Sequence, residues 1–204
     1  MSSTSFWNRH AKRYAEKPID DEKTYQHKLE ITRQYFTPTS SVLEIGCGTG
    51  STALLHAPFV KSIYATDYSE KMIEIAQEKL NSSDIKNVDF RCTSAEELST
   101  LKESFDAILA LNVLHLIKDI KGSLDIIYKL LKPSGFFVSS TVCVGDFMKI
   151  MKFIGPLGSK IGLIPYINVT TRSEFEKLLL DTGFKVEYSY QPHSNKSLFI
   201  VAKK

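Results

Sequence analysis

The stretch Val42-Leu43-Glu44-Ile45-Gly46-Cys47-Gly48-Thr49-Gly50 constrains what this chain can fold into more than any other. It begins as a buried strand, breaks into alternating glycines, and runs into a segment from Ser51 that reads as a helix. The alternation lets the backbone turn sharply and approach a ligand with no Cβ in the way. A glycine loop alone is weak support for a ligand, because tight strand-to-helix turns need glycine for steric reasons. Glu44 changes the reading. A carboxylate two residues before the first glycine would repel a pyrophosphate seated on the helix N-terminus, and it suits a ligand that carries an ammonium group. Ser51 also stands where the third Gly or Ala of a G-x-G-x-x-G fingerprint belongs, which argues against a nicotinamide oxidoreductase.

The rest of the chain supplies the strands and helices such a loop needs. Residues 5 to 17 read as a helix capped by Ser5, with Trp7, Ala11, Tyr14 and Ala15 on one face and Pro18 as its stop. A second helix is expected from about Asp21 to Phe36, its inner stripe being Tyr25, Leu29, Thr32 and Phe36. After the glycine loop and a short helix broken near Pro58 come a strand, residues 62 to 66, and Asp67 at its end. Ser69 caps the next helix. An acid in the position of Asp67 is where an α/β nucleotide fold reads a ribose, since its two oxygens accept from both hydroxyls; taken alone, it could equally be a cap.

Further strands are expected at 88–92, 105–110, 136–142, 184–190 and 198–202, with a helix carrying Ile120, Leu124, Ile127 and Leu131 between two of them. Asn112 and Val113 fall at the carboxyl end of the fourth strand, where open α/β sheets bind ligands. His115 is the histidine near that edge; it is a candidate to position or deprotonate an acceptor, or else a packed core side chain. Thr171-Arg172-Ser173-Glu174 forms a capping box for a last helix that Gly183 ends. Strands alternating with helices predict an α/β fold with a doubly wound, mostly parallel, seven-stranded Rossmann-like sheet and an antiparallel edge strand.

At 204 residues, 43% hydrophobic and 24% charged, the chain reads as one ordinary globular domain with a sizeable core. Its net charge of +3 is too small to signal nucleic acid. No run approaches the ~18–20 apolar residues that span a bilayer, and the polar start has no signal-peptide core. Cys47, Cys92 and Cys143 lack metal-type spacing, and no ligand cluster for a metal appears. The expectation is a cytoplasmic protein with reduced thiols, either monomer or homodimer.

Over Glu44 to Gly50 the chain resembles the class I S-adenosylmethionine-dependent methyltransferases, whose first motif is E/D-x-G-x-G-x-G, with members that act on ubiquinone and menaquinone precursors as the similar group. The resemblance runs motif by motif over about residues 40 to 140. It implies S-adenosyl-L-methionine as cofactor and a small-molecule acceptor. Glu44, Gly46, Cys47, Gly48 and Gly50 would hold the methionine end, Asp67 and Tyr68 the ribose side, and Asn112 and Tyr14 would border the cofactor. The family's D-A-x-x-L adenine motif reads Ser94-Ala95 here, so the contact keeps its backbone N–H and loses its charge. Lys132-Pro133-Ser134-Gly135 is similar to the L-K-P-G-G turn, with Ser134 replacing one Gly. Nucleic-acid acceptors are not expected, because no N-P-P-Y or Pro-Cys sequence follows the fourth strand. A scaffold that binds the cofactor without catalysis is the rival reading.

The resemblance divides the single domain into a helical lid (1–38), a cofactor core (40–142), an apolar segment (143–169) and a closing helix and strand pair (170–204). Trp7 and Tyr25 on the lid are candidate acceptor contacts, as is Phe147. Residues 146 to 154 read as a short helix that is apolar nearly all round, and residues 146 to 166 as an acceptor cover. So much apolar surface must meet the core, a hydrophobic ligand, a partner or a membrane surface. Family members with this motif set act on lipid quinones or phospholipid head groups, which implies a partly apolar acceptor.

Overall fold

Strands as apolar as Val42-Leu43 and Ala107-Ile108-Leu109 can only sit in a sheet covered on both faces. The computed structural model has that arrangement; it describes residues 3–93, 97–102, 104–151, 158–159 and 164–204, with Ser3 described by its backbone alone. Helices α1 (Ser3–Glu16) and α2 (Glu22–Arg33) precede β1 (Ser41–Ile45). Then come α3 (Ser51–His56), β2 (Ser62–Asp67), α4 (Glu70–Asn81), β3 (Val88–Cys92) and β4 (Phe105–Leu111). Helix α5 (Ile120–Leu130), β5 (Leu131–Thr141), α6 (Arg172–Thr182), β6 (Lys185–Tyr190) and β7 (Leu198–Lys203) complete the order.

The seven strands lie in the order β3-β2-β1-β4-β5-β7-β6. Pairings from β3 through β5 are parallel, and β7 runs antiparallel to both β5 and β6. The antiparallel element therefore sits at the β7–β6 edge pair, with β7 one place in from the rim. Alternate residues feed two cores. Leu43 and Ile45 pack with Leu124 and Ile127 of α5 and with Phe175 and Leu179 of α6. Val42 faces the other way, with Ala53, Ala76 and Leu109, and with Ile31 of α2 partly buried against it. Glu44 shares that second face by the two-residue period.

Side-chain caps explain several helix starts. Ser69 Oγ accepts from the Met72 N–H at 3.3 Å, Asp119 accepts from Gly122 at 2.8 Å, and the capping box of Thr171 and Glu174 is complete. Two expectations shift. The 132–135 turn lies inside a longer β5: Leu131 already pairs with Phe105, a bulge follows, and Phe136 then pairs with Ala107. Residues 146–150 form no α-helix: a 3₁₀ turn, Val144–Asp146, leads into turns, Asp146 accepts from the Arg172 N–H at 2.9 Å and ties the segment to the start of α6, and Met151 is the first α-helical residue. Residues 152–157 and 161–163, with Phe153, Ile154, Leu157, Ile161 and Leu163 of the expected cover, lie outside the described residues.

Candidate active site

The carboxyl ends of β1, β2, β4 and β5 converge on one cleft, roofed by α1 and α2. Its larger part is a cavity of about 380 Å³ bordered by Tyr14, Tyr25, Lys28, Glu44, Gly46, Cys47, Gly48, Asn112 and Ser140. A smaller part, about 60 Å³, is bordered by Trp7, Tyr14, Gly46, Gly48, Asp67, Tyr68 and Asn112. Most of the residues singled out in the sequence thus meet at one place.

The loop after β1 is built around left-handed backbone. Gly46, Gly48 and Gly50 have φ of +68°, +54° and +75°. Their reasons differ. A Cβ at Gly50 would lie 2.5 Å from Phe90 Cζ and 2.8 Å from Ala76 Cβ, so that glycine lets helix and strand close together. A Cβ at Gly48 would meet only Tyr14 Cε1, at 3.7 Å, and would project into the cleft. Gly48 is the glycine that leaves room for a ligand.

Glu44 is 2% exposed, and its Oε2 is buried with no hydrogen-bond partner among the described residues. Burial, then the charge of Asp67, pushes its carboxyl up to about 8. A buried carboxylate that borders a cavity and lacks a donor is completed by a ligand that brings one, and an ammonium group does so. Asp67 is differently placed. Its Oδ2 accepts from the Gly48 N–H at 3.0 Å and its Oδ1 from the Ser69 N–H at 2.9 Å. It clamps the glycine loop to the end of β2 and still borders the smaller cavity, where each oxygen keeps a second lone pair. Burial raises its pKa against the lowering effect of those N–H groups.

The N-terminal helices close over this floor. Asn8 Oδ1 accepts from Ser69 Oγ at 2.6 Å, which fixes α1 at the start of α4. Trp7 and Tyr14 meet edge to face at 5.9 Å. The Tyr25 hydroxyl lies 3.0 Å from Thr52 Oγ1, so α2 is held to α3. Asn112 carries φ 58°, a left-handed conformation that asparagine tolerates. Its N–H donates to the Ser140 carbonyl at 2.7 Å.

Other expected residues are placed less centrally. His115 sits on the 3₁₀ turn Leu114–Leu116, with Nδ1 buried and unpartnered and burial pulling its pKa down to about 4. Its neighbours Val113 and Leu116 border the smaller cavity, and its own side chain borders neither part. Phe147 is 40% exposed and borders neither. Ser94 and Ala95 lie outside the described residues. Among the described residues no group of His, Cys, Asp and Glu could hold a metal ion, and no helix is long and apolar enough to cross a membrane.

Lys28, like His56, is a cleft residue that sequence reasoning missed. Its Nζ donates to Ser140 Oγ at 3.0 Å and to Ser197 Oγ at 2.7 Å, and burial pulls its ammonium down to about 8. A signal existed. Lys28 lies three residues after Tyr25 on the same inner stripe of α2, a position otherwise given to apolar side chains.

Residues 43–139 match a methyltransferase domain family. The chain is 32% identical over 161 residues to a malonyl-[acyl-carrier protein] O-methyltransferase of Priestia megaterium, an alignment that covers 77% of this chain and 57% of the relative. It is 25% identical to a ubiquinone/menaquinone biosynthesis C-methyltransferase of Geotalea daltonii, over 78% of this chain and 76% of the relative. With 57%, 42% and 38% of three curated relatives aligned, the chain spans about half the length of such proteins. In fold it is similar to the N-methyltransferase NodS of Bradyrhizobium japonicum, solved with S-adenosylhomocysteine, at TM-score 0.74 and 17% identity over 100% of this chain and 99% of that one. Over residues 43–139, then, this chain is similar to a methyltransferase domain.

Proposed function

We propose that the protein transfers a methyl group from S-adenosylmethionine to a small, partly apolar acceptor. The observation that carries this reading is the unpartnered buried oxygen of Glu44 beside the open face of Gly48. Bound there, the sulfonium cofactor supplies an already activated methyl group. Glu44 takes the methionine ammonium, and the pairing restores its charge. Asp67 and Tyr68 border the ribose, while Ser94 and Ala95 are assigned to the adenine. Tyr14 and Trp7 shield this half from water. Burial raises the Tyr14 phenol, so it stays protonated and can donate. What remains is to bring the acceptor into line and keep water out, and orientation alone contributes up to ~7–11 kcal/mol in favourable cases.

The acceptor half lies over β4 and β5, where Tyr25, Leu111 and Phe199 give it an apolar lining. Phe147, Met148 and Ile150 are exposed, at 40%, 43% and 60%, which supports a cover more than a core helix. His115 is assigned the positioning or deprotonation of the acceptor. His115→Gln tests that: lost turnover with cofactor affinity and melting temperature kept supports it, and a large fall in stability makes the histidine a packing residue. The reading as a whole is tested by calorimetry. S-adenosylmethionine and S-adenosylhomocysteine should bind and NAD should not; no heat from either adenosyl ligand well above micromolar concentration would refute it. Product analysis with labelled cofactor and a metabolite extract then identifies the acceptor and separates an enzyme from a non-catalytic scaffold.

A further inference from the structure

The larger cavity carries an acidic side chain at one end and a basic one at the other. Glu44 closes β1, while Lys28 reaches from α2 to Ser140 on β5 and Ser197 just before β7. Strand β5 lies two places from β1, so the two poles are about 10 Å apart across the sheet. The Lys28 cluster is rich in donors. Ser140 gives its proton to Asn112 Oδ1 at 3.3 Å or to Ser197 Oγ at 3.0 Å. Both serine oxygens accept from Lys28. One ammonium proton and the Ser197 hydroxyl proton are left with no acceptor among the described residues, and no ion pair to Lys28 is found among them. Burial disfavours this ammonium, and Asp21 offsets that only from a distance. Lys28 and Ser140 border the cavity, with Ser197 behind them, and a cluster with surplus donors and an unpaired charge in that position is completed by an anion.

We infer that Lys28, Ser140 and Ser197 form a subsite for a carboxylate on the methyl acceptor. This rests on the methyl-transfer reading and narrows its substrate class to small organic acids with an apolar body. Phe199, whose ring centroid lies 5.8 Å from Lys28 Nζ, supplies an apolar wall beside the charge. The same chemistry could be met by the carboxylate of the cofactor's methionine, so the test has to separate the two sources.

The full chain is titrated with benzoate and with its neutral counterpart benzamide, by ligand-observed NMR, with and without saturating S-adenosylhomocysteine. With that product bound, benzoate should bind about tenfold or more tightly than benzamide. Lys28→Met should erase the preference, Lys28→Arg should keep it, and Ser197→Ala should reduce it. The affinity for S-adenosylhomocysteine should stay within about threefold in all three. A wild-type protein that binds the product and shows no preference overturns the subsite, as does a preference that survives Lys28→Met. If S-adenosylhomocysteine displaces benzoate and Lys28→Met weakens the product instead, the carboxylate is the cofactor's and the acceptor assignment falls. Should Lys28→Met fail to fold, an unchanged preference in Ser197→Ala overturns the proposal. A wild-type protein that binds no S-adenosylhomocysteine refutes the methyl-transfer reading itself, while the benzoate preference is still read in the apo chain.

Discussion

Two buried titratable side chains at the site pull stability in opposite directions. Glu44 has its carboxyl raised from 4.5 to about 8 in the folded chain, so the native state holds a proton that the unfolded state releases. From this group, stability is fully present below pH 4.5 and is lost as pH rises towards 8, by up to about 1.4 kcal/mol per pH unit. Glu44→Gln should therefore raise the melting temperature of the apo protein at pH 7.5 and abolish measurable cofactor binding. Binding to the wild type should release a proton below pH 8, which calorimetry in buffers of different ionisation enthalpy would detect. His56 works the other way. It is 0% exposed, both ring nitrogens lack partners, and burial holds its pKa down to about 3, against 6.5 unperturbed. The unfolded state takes up the proton first, so stability falls as pH drops from 6.5 towards 3, again by up to about 1.4 kcal/mol per unit. His56→Leu should flatten that acid limb in denaturation series at pH 4 to 7. The sequence shows Glu44 because its offset from the glycines is a pattern. It cannot show His56, which the fold buries edge to face against Phe36 with neither ring nitrogen partnered among the described residues.

At the scale of elements, the glycine loop and the caps at Ser69 and Thr171 were legible because each rests on local backbone requirements, whereas Ser5, expected as a cap, lies inside α1 and β5 starts five residues earlier than expected, at Leu131. Gly48 and Gly50 look alike in sequence and differ in space. Gly48→Ala should fold at a cost of about 1–2 kcal/mol for its positive φ while weakening the cofactor, whereas Gly50→Ala should fail to fold against Phe90 and Ala76. Thermal melts and product titration separate the two. The Thr171 cap was equally legible; Thr171→Ala should cost about 1 kcal/mol, or ~2–4 °C in melting temperature, with no effect on ligands. The start of the helix expected over 146–154 was not legible, because the apolar composition gave no sign of the Asp146–Arg172 tie, which bridges 26 positions. Lys28 was passed over for a similar reason. Its partners Ser140 and Ser197 stand 112 and 169 residues away, and only the folded sheet joins them.

For the whole molecule, the alternation of strands and helices was enough to foresee a doubly wound sheet, and the apolar final strand was enough to foresee its closure. The exact insertion of β7 between β5 and β6 was not, because no local period distinguishes an edge strand from its neighbour. A chain ending at residue 196 should lose the cooperative melt, since β6 pairs in the sheet through β7; a cooperative transition in that truncation would contradict the assignment. The same insertion sets an order of events during synthesis. Every described strand but one has been synthesised once Tyr190 is made, yet β5 still lacks its β7 neighbour and β6 has no neighbour to join. Ribosome-bound chains stalled before residue 198 should therefore be protease-sensitive and expose a sticky strand edge. Chains extended past 204 by a flexible linker should resist protease, because the sheet can then close.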